Sequence, residues 1–167
     1  RMNARTFNIS NSQIMDQLSE KLKTFPAQDW QVTPLGAFAN PSVYGDAISI
    51  KNPSTQDLLG KAYQTKVDAV HQAFECAKKG FESWHRTSAT YRADLLRKAA
   101  DQLESHFEEL IQIAILEAGK TLSNAIAEVR EAVDFCRYYA EQAEKLFAEP
   151  ITLPGPTGEK NQLIMEG

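Results

Sequence analysis

The side chains with the most chemical promise lie on one stretch, Ala127-Glu-Val-Arg-Glu-Ala-Val-Asp-Phe-Cys-Arg-Tyr-Tyr-Ala140. At about 100° per residue of a helix, Glu128, Glu131, Phe135 and Tyr138 fall together, on the side away from an apolar stripe through Val129. Two carboxylates beside two aromatic rings leave two readings open. One is a solvated face with Arg130 or Arg137 as ion-pair partner. The other is a wall of a pocket, where a carboxylate meets a cationic ligand group through charge-assisted hydrogen bonds.

Other chemically suggestive residues carry less. Gly119-Lys120-Thr121 has the end of a phosphate-binding loop, but that motif needs a glycine five residues before Gly119, and Ala114 stands there. A helix stop is the better account of Gly119. His71, His85 and His106 are never four residues apart, and neither Cys76 nor Cys136 has a His or Cys at ligand spacing, so no metal site is expected. Both cysteines fall mid-helix, away from an activating base or a helix N-terminus, and read as small apolar residues rather than nucleophiles.

These residues are positioned by a mostly helical chain. Ile14, Leu18, Leu22 and Phe25 predict a short helix over 11–25, capped by Ser10 and ended by Pro26. Residues 28–44 have two prolines and no clear period, and are expected to wrap over a surface. Alternation at Ala47–Lys51 and again at Leu58–Gln64, around Asn52-Pro53-Ser54, predicts a hairpin with a connection of about six residues.

From Thr65, with Asp68 as capping box, Val67, Val70, Phe74, Ala77, Phe81 and Trp84 form a helical stripe, with Gly80 near its end. The next helix starts at Thr87 or Ser88 and shows Leu95, Leu96, Ala99 and Leu103. Ser105 and Glu108 suggest a break and restart, leading to Phe107, Leu110, Ile111, Ala114 and Ile115. Gly119 fits a left-handed helix stop. The last helix, 121–148, places Leu122, Ile126, Val129, Val133, Cys136, Ala140, Ala143 and Phe147 on one face. Beyond Pro150, two short strands are expected at Ile151–Leu153 and Gln162–Met165.

The chain has 167 residues, 43% hydrophobic and 24% charged, which fits one soluble globular domain. A net charge of −4 and the lack of Lys/Arg clusters give no case for nucleic acid. Two distant cysteines favour a reducing, cytoplasmic compartment. No apolar run approaches the ~20 residues of a membrane helix, and no signal-peptide core is present. Arg1 ahead of Met2 reads as a scar or an excised segment rather than a natural start.

Glu117-Ala-Gly-Lys-Thr121 and Ala127 to Ala140 resemble the aldehyde dehydrogenase superfamily. The branch they resemble is the Δ1-pyrroline-5-carboxylate (glutamate semialdehyde) dehydrogenase domain of the bifunctional proline utilization A family. Asn52-Pro53 after a strand, Trp84 closing a helix, Arg92 with Leu95-Leu96, and Leu153-Pro-Gly-Pro-Thr-Gly158 fit the same template, so the resemblance covers roughly 28–167.

The resemblance implies an α+β fragment of an α/β enzyme: an N-terminal helix and linker over 1–27, the helical part of a dehydrogenase domain over 28–150, and the start of an oligomerisation hairpin over 151–167. It implies a parent that oxidises glutamate semialdehyde to glutamate with NAD in proline catabolism. FAD belongs only to a parent with an upstream proline dehydrogenase domain. In this family a cysteine thiolate attacks the aldehyde, hydride passes to the nicotinamide, and a glutamate-activated water releases the acid. The oxyanion asparagine of Pro-Trp-Asn-Phe-Pro, the nucleophile and the base are expected beyond Gly167, so no catalytic or cofactor-binding residue is assigned here and the chain is expected to be inert alone. One role carries over: Glu131 matches the glutamate lining the aldehyde pocket near the substrate's amino group. The cut hairpin implies self-association. The alternative is a stand-alone helical interaction module.

Overall fold

The computed structural model describes residues 2–24, 30–36, 39–147 and 149–165. The described residues form an α+β fragment dominated by five α-helices, and the chain divides into two compact units.

One unit takes in Phe7–Glu82 and Phe107–Ala127. Helix α1 spans Ser12–Thr24. Its cap is Asn11 rather than Ser10: the Asn11 side chain accepts from the Ile14 amide at 3.2 Å, satisfying a first-turn donor. Leu18 is its buried anchor; Phe25 and Pro26, expected to finish this helix, lie outside the described residues. Helix α4, Phe107–Ala118, packs beside α1. Phe7 stacks on Phe107 at 5.2 Å, and Gln112 donates to the Leu22 carbonyl at 3.0 Å.

The sheet of this unit has order β1-β3-β2, from Trp30–Val32, Leu58–Thr65 and Tyr44–Lys51. The antiparallel β2–β3 hairpin with its six-residue connection matches the alternation in sequence. Asn52 holds that connection by accepting from the Ser54 and Thr55 amides at 2.9 and 3.3 Å, an Asx turn. Strand β1 corrects the expectation of an irregular wrap over 28–44: it pairs parallel with β3, with Trp30 opposite Gly60. Glycine is required there, because a Cβ at Gly60 would lie 2.1 Å from the Trp30 carbonyl oxygen. A cavity of about 290 Å³ lies between this sheet, at Trp30, Ile50 and Leu59, and Ile113 and Leu116 of α4.

Helix α2, Val67–Trp84, follows β3 after the single residue Lys66. The apolar stripe predicted to be its buried face is exposed: Val67 is 83% and Phe74 70% accessible, and Ala69 is its buried residue.

The other unit takes in the described residues of Arg1–Thr6, Ser83–His106 and Glu128–Gly167. Helix α3, Ala89–Ser105, is capped by Ser88, whose hydroxyl accepts from the Tyr91 amide at 3.1 Å. Its buried positions are Ala89, Ala93 and Ala100, whereas Ala99, expected on the buried face, is exposed. The break after α3 occurs where expected, but Ser105 donates back to the Gln102 carbonyl at 2.8 Å and closes α3. His106 is the C-cap.

Gly119 adopts φ +63°, the left-handed stop anticipated for it. Helix α5 then runs over Leu122–Phe147, opened by Thr121, whose hydroxyl accepts from the Asn124 amide at 3.3 Å. Ile126, Val129, Val133 and Ala140 are buried, as the stripe requires. Val133 packs with Ala100 and Ala4, with Leu103 and Cys136 alongside. The chain ends in a two-stranded antiparallel pair, β4 at Ile151–Leu153 and β5 at Asn161–Leu163, the latter starting and ending earlier than expected.

Candidate functional site

The face singled out by its chemistry is continuous on α5. Residues 128, 131, 135 and 138 all sit within one unbroken helix, so the spacing that groups them in sequence groups them in space. Glu128 and Glu131 are exposed, and Phe135 and Tyr138 remain 51% and 42% accessible. The rings organise among themselves: Tyr139 lies 6.0 Å from Phe135 and meets Tyr138 edge-on at 5.2 Å. A large aromatic cluster left open beside carboxylates is a surface suited to being covered, since exposed apolar patches of this kind mark contact sites.

The ion-pair partner considered for that face is used elsewhere. Arg137 is buried, pointing to α3, where its Nη2 donates to Asp101 and to Glu104 at 2.9 Å each. The bond to Glu104 raises the pKa of Arg137, partial burial opposes the rise, and Asp101 adds to it. Reciprocally, the guanidinium holds the Glu104 carboxyl below its ordinary value. The signal for this was present: Arg137 follows Val133 by four and precedes Ala140 by three, so it belongs to the buried face. Arg130, the other considered partner, has a buried Nε without a hydrogen-bond partner.

A second arginine ties the same two helices. Arg97 of α3 forks onto Glu144 of α5 and also reaches Asp94 at 3.0 Å. Hydrogen bonding to Glu144, then to Asp94, raises the pKa of Arg97. These bonds fix the seam that sets the rotation of α5, and hence the direction of the Glu131 face. Asp101, Glu104 and Glu144 were not singled out in sequence. Acidic residues on helices are common, and only the fold identifies which ones meet an arginine.

Cys76 and Cys136 are half-buried free thiols. Among the described residues no group of three His, Cys, Asp or Glu converges on a common point, and no helix is long and apolar enough to cross a membrane. Strand β3 enters α2 through Lys66 without a glycine, so that turn does not build a pyrophosphate cradle.

The chain is 38% identical over 158 residues to the bifunctional protein PutA of Escherichia coli K12, covering 93% of this chain and 12% of that protein. It is 31% identical over 133 residues to a 1-pyrroline-5-carboxylate dehydrogenase of Staphylococcus epidermidis, covering 79% of this chain and 26% of the relative. In fold it is similar to the crystal structure of proline utilization A from Bdellovibrio bacteriovorus, with a TM-score of 0.80 at 24% identity, over 99% of this chain and 17% of that one. The chain therefore spans only a small part of the relatives it matches. Because residues 40–166 also match the aldehyde dehydrogenase family, across both the β2–β3 hairpin and the α2–α5 helices, the chain belongs to that family.

Proposed function

We propose that this chain is the N-terminal part of an NAD-dependent L-glutamate γ-semialdehyde (Δ1-pyrroline-5-carboxylate) dehydrogenase, a cytoplasmic enzyme of proline catabolism. The observation that carries this reading is the agreement of two relatives. A bifunctional PutA and a 1-pyrroline-5-carboxylate dehydrogenase each match over most of this chain at more than 30% identity. The chain contributes scaffold and one wall, and the nucleophile, base and oxyanion asparagine come from elsewhere in the parent. The β3–α2 turn present here, formed by Lys66 without a glycine, does not fit the pyrophosphate of NAD, which residues elsewhere in the parent would hold. FAD enters only with an upstream proline dehydrogenase domain.

Within that reading Glu131 is the substrate-facing carboxylate. It is exposed on α5 beside Phe135, where a covering wall would desolvate it against a substrate ammonium and strengthen the charge-assisted bond. In the full-length protein, Glu131→Ala is expected to raise KM for glutamate semialdehyde by about tenfold or more, the size of a lost charged hydrogen bond. An unchanged KM would make Glu131 a surface acid. The isolated 167-residue chain, mixed with glutamate semialdehyde and NAD, is expected to produce no NADH; turnover would overturn the assignment of which residues are essential.

The β4–β5 pair, exposed along its length, supports self-association through an unpaired strand edge. Light scattering at rising concentration tests this, and a sharp monomer throughout would exclude it. The open stripe of α2 also favours a second reading, a helical interaction module. The two part on the reading frame: continuation past Gly167 into Pro-Trp-Asn-Phe-Pro and a later cysteine motif supports the enzyme, and a stop codon supports the module.

A further inference from the structure

The three-stranded sheet carries a notch on one face. Register places Trp30 and Ile50 on either side of Gly60, and Val32 and Ile48 on either side of Ala62. Paired residues of neighbouring strands share a face, so the central strand is smallest where both its neighbours are large. On α4, Gln112, Ile113, Leu116 and Glu117 stand three or four positions from one another and form one face of the helix. The two surfaces leave between them a cavity of about 290 Å³, walled by Trp30, Val32, Ile50, Ile113 and Leu116. Sheet and helix belong to the same compact unit. Val32 and Glu117 are both exposed, which leaves the cavity open to solvent.

Size and lining decide what fits. An apolar cavity of about 150 Å³ takes up benzene, so one about twice as large has room for a fused bicyclic ring. Ligand cavities are mostly apolar, with a few polar groups that set orientation. The polar groups on the helix side of this one are acceptors. Gln112 donates its amide N–H to the Leu22 carbonyl at 3.0 Å, which leaves its own carbonyl oxygen to accept. The Glu117 carboxylate has no hydrogen bond or ion pair among the described residues. Lys61 also borders the cavity, but it alternates with Gly60 and Ala62, belongs to the other face of β3, and is exposed.

We propose that the cavity between the sheet and α4 is a binding site for a small, fused-ring aromatic amine. The ring packs against Trp30, Ile50 and Leu116 over the notch at Gly60 and Ala62, and its N–H donates to the acceptors on α4. A carboxylate in the same position would face two acceptors, one of them charged, so anionic relatives of the ligand are rejected. The site uses none of the residues assigned to the dehydrogenase reading.

The test uses the full 167-residue chain carrying Trp84→Phe, which leaves Trp30 as the sole tryptophan. The probe is 1-aminonaphthalene, expected to quench Trp30 emission to saturation with one site per chain. Naphthalene, which has no donor, and 1-naphthoate, which carries an anion instead, are expected to bind about tenfold more weakly, the cost of losing a hydrogen bond to a charged acceptor. Glu117→Leu should narrow the gap between 1-aminonaphthalene and naphthalene. Ile113→Phe fills the cavity and is expected to abolish quenching; Leu116→Phe fills it from the next turn, and a melting curve shows whether each variant folds. No saturable quenching in the parent would overturn the site. So would binding that survives in a folded, cavity-filled variant, which would place the probe on another apolar surface such as α2. Equal binding of all three probes, or a preference for 1-naphthoate through Lys61, would overturn the amine class.

Discussion

Helices α5 and α2 carry apolar stripes of similar regularity, yet one stripe is buried along much of its length and the other is exposed. On α5, Ile126, Val129, Val133 and Ala140 are buried; on α2, Val67, Val70, Phe74, Phe81 and Trp84 are all exposed. The sequence period states which face of a helix is made to be covered, and it is silent about the partner. For α5 part of the cover lies within the chain: Ala4 and Ala100 reach Val133, and two arginine forks lock the seam. The α2 stripe is left exposed among the described residues of the chain.

The sharpest way to break this contrast is to shave each helix in turn. Ile126→Ala on α5 is expected to destabilise the chain by about 3 kcal/mol, through lost transfer energy and an unfilled cavity. The midpoint of urea unfolding measures it. A cost below about 0.5 kcal/mol, the range of ordinary surface changes, would put α5 in the same class as α2.

The next largest effect tests whether the sheet is equally specified. Gly60→Ala drives a methyl group against the Trp30 carbonyl, which main chain cannot easily relieve. A loss of about 2 kcal/mol is expected, as for overpacking elsewhere, with β1 detached. Loss of exchange protection at residues 30–32 while β2–β3 stays protected is the signature. Uniform protection would show that β1 adapts.

Much of this architecture was legible in the residues, and the failures share a cause. The β2–β3 hairpin, the Gly119 stop and the span of α5 rest on local patterns, and all occur. Strand β1 escaped because three residues, Trp30, Gln31 and Val32, are too few to show alternation, and their parallel partner lies thirty positions away. On α3 the sequence stripe runs through Leu95, Leu96, Ala99 and Leu103, whereas the buried positions are Ala89, Ala93 and Ala100. The fully covered positions of α3 are alanines, so ranking its residues by hydrophobicity does not find them. At the candidate site, the grouping of Glu131 with Phe135 and Tyr138 follows from helix geometry alone. Its cover does not, and neither does the commitment of Arg137 to Asp101 and Glu104, which depends on where α3 docks.

That commitment gives the seam a pH signature. Hydrogen bonding from Arg137 holds the Glu104 carboxyl below its ordinary value of 4.5. A carboxyl with a depressed folded pKa adds stability above its unfolded pKa and loses it as pH falls through the folded one. The melting temperature is therefore expected to drop on acidification below about pH 4.5, and Glu104→Gln should flatten part of that drop. An identical pH profile in the variant would show that the pair adds nothing to folding.

The smallest effect decides most about α2. Phe74→Gln removes the most prominent ring of a face that is 70% open at this position, and glutamine keeps helix propensity. A change within about 0.5 kcal/mol in unfolding free energy is expected at low concentration, since little packing is lost. At high concentration the same variant should scatter less light than the parent, because the apolar stripe that invites association is interrupted. A cost above about 2 kcal/mol, in the range of core truncations, would mean that the ring is already covered in solution. If that cost grew with protein concentration, the cover would be a second copy of the chain; if it were constant, α2 would have to fold back on its own chain, and the contrast between the two helices would disappear.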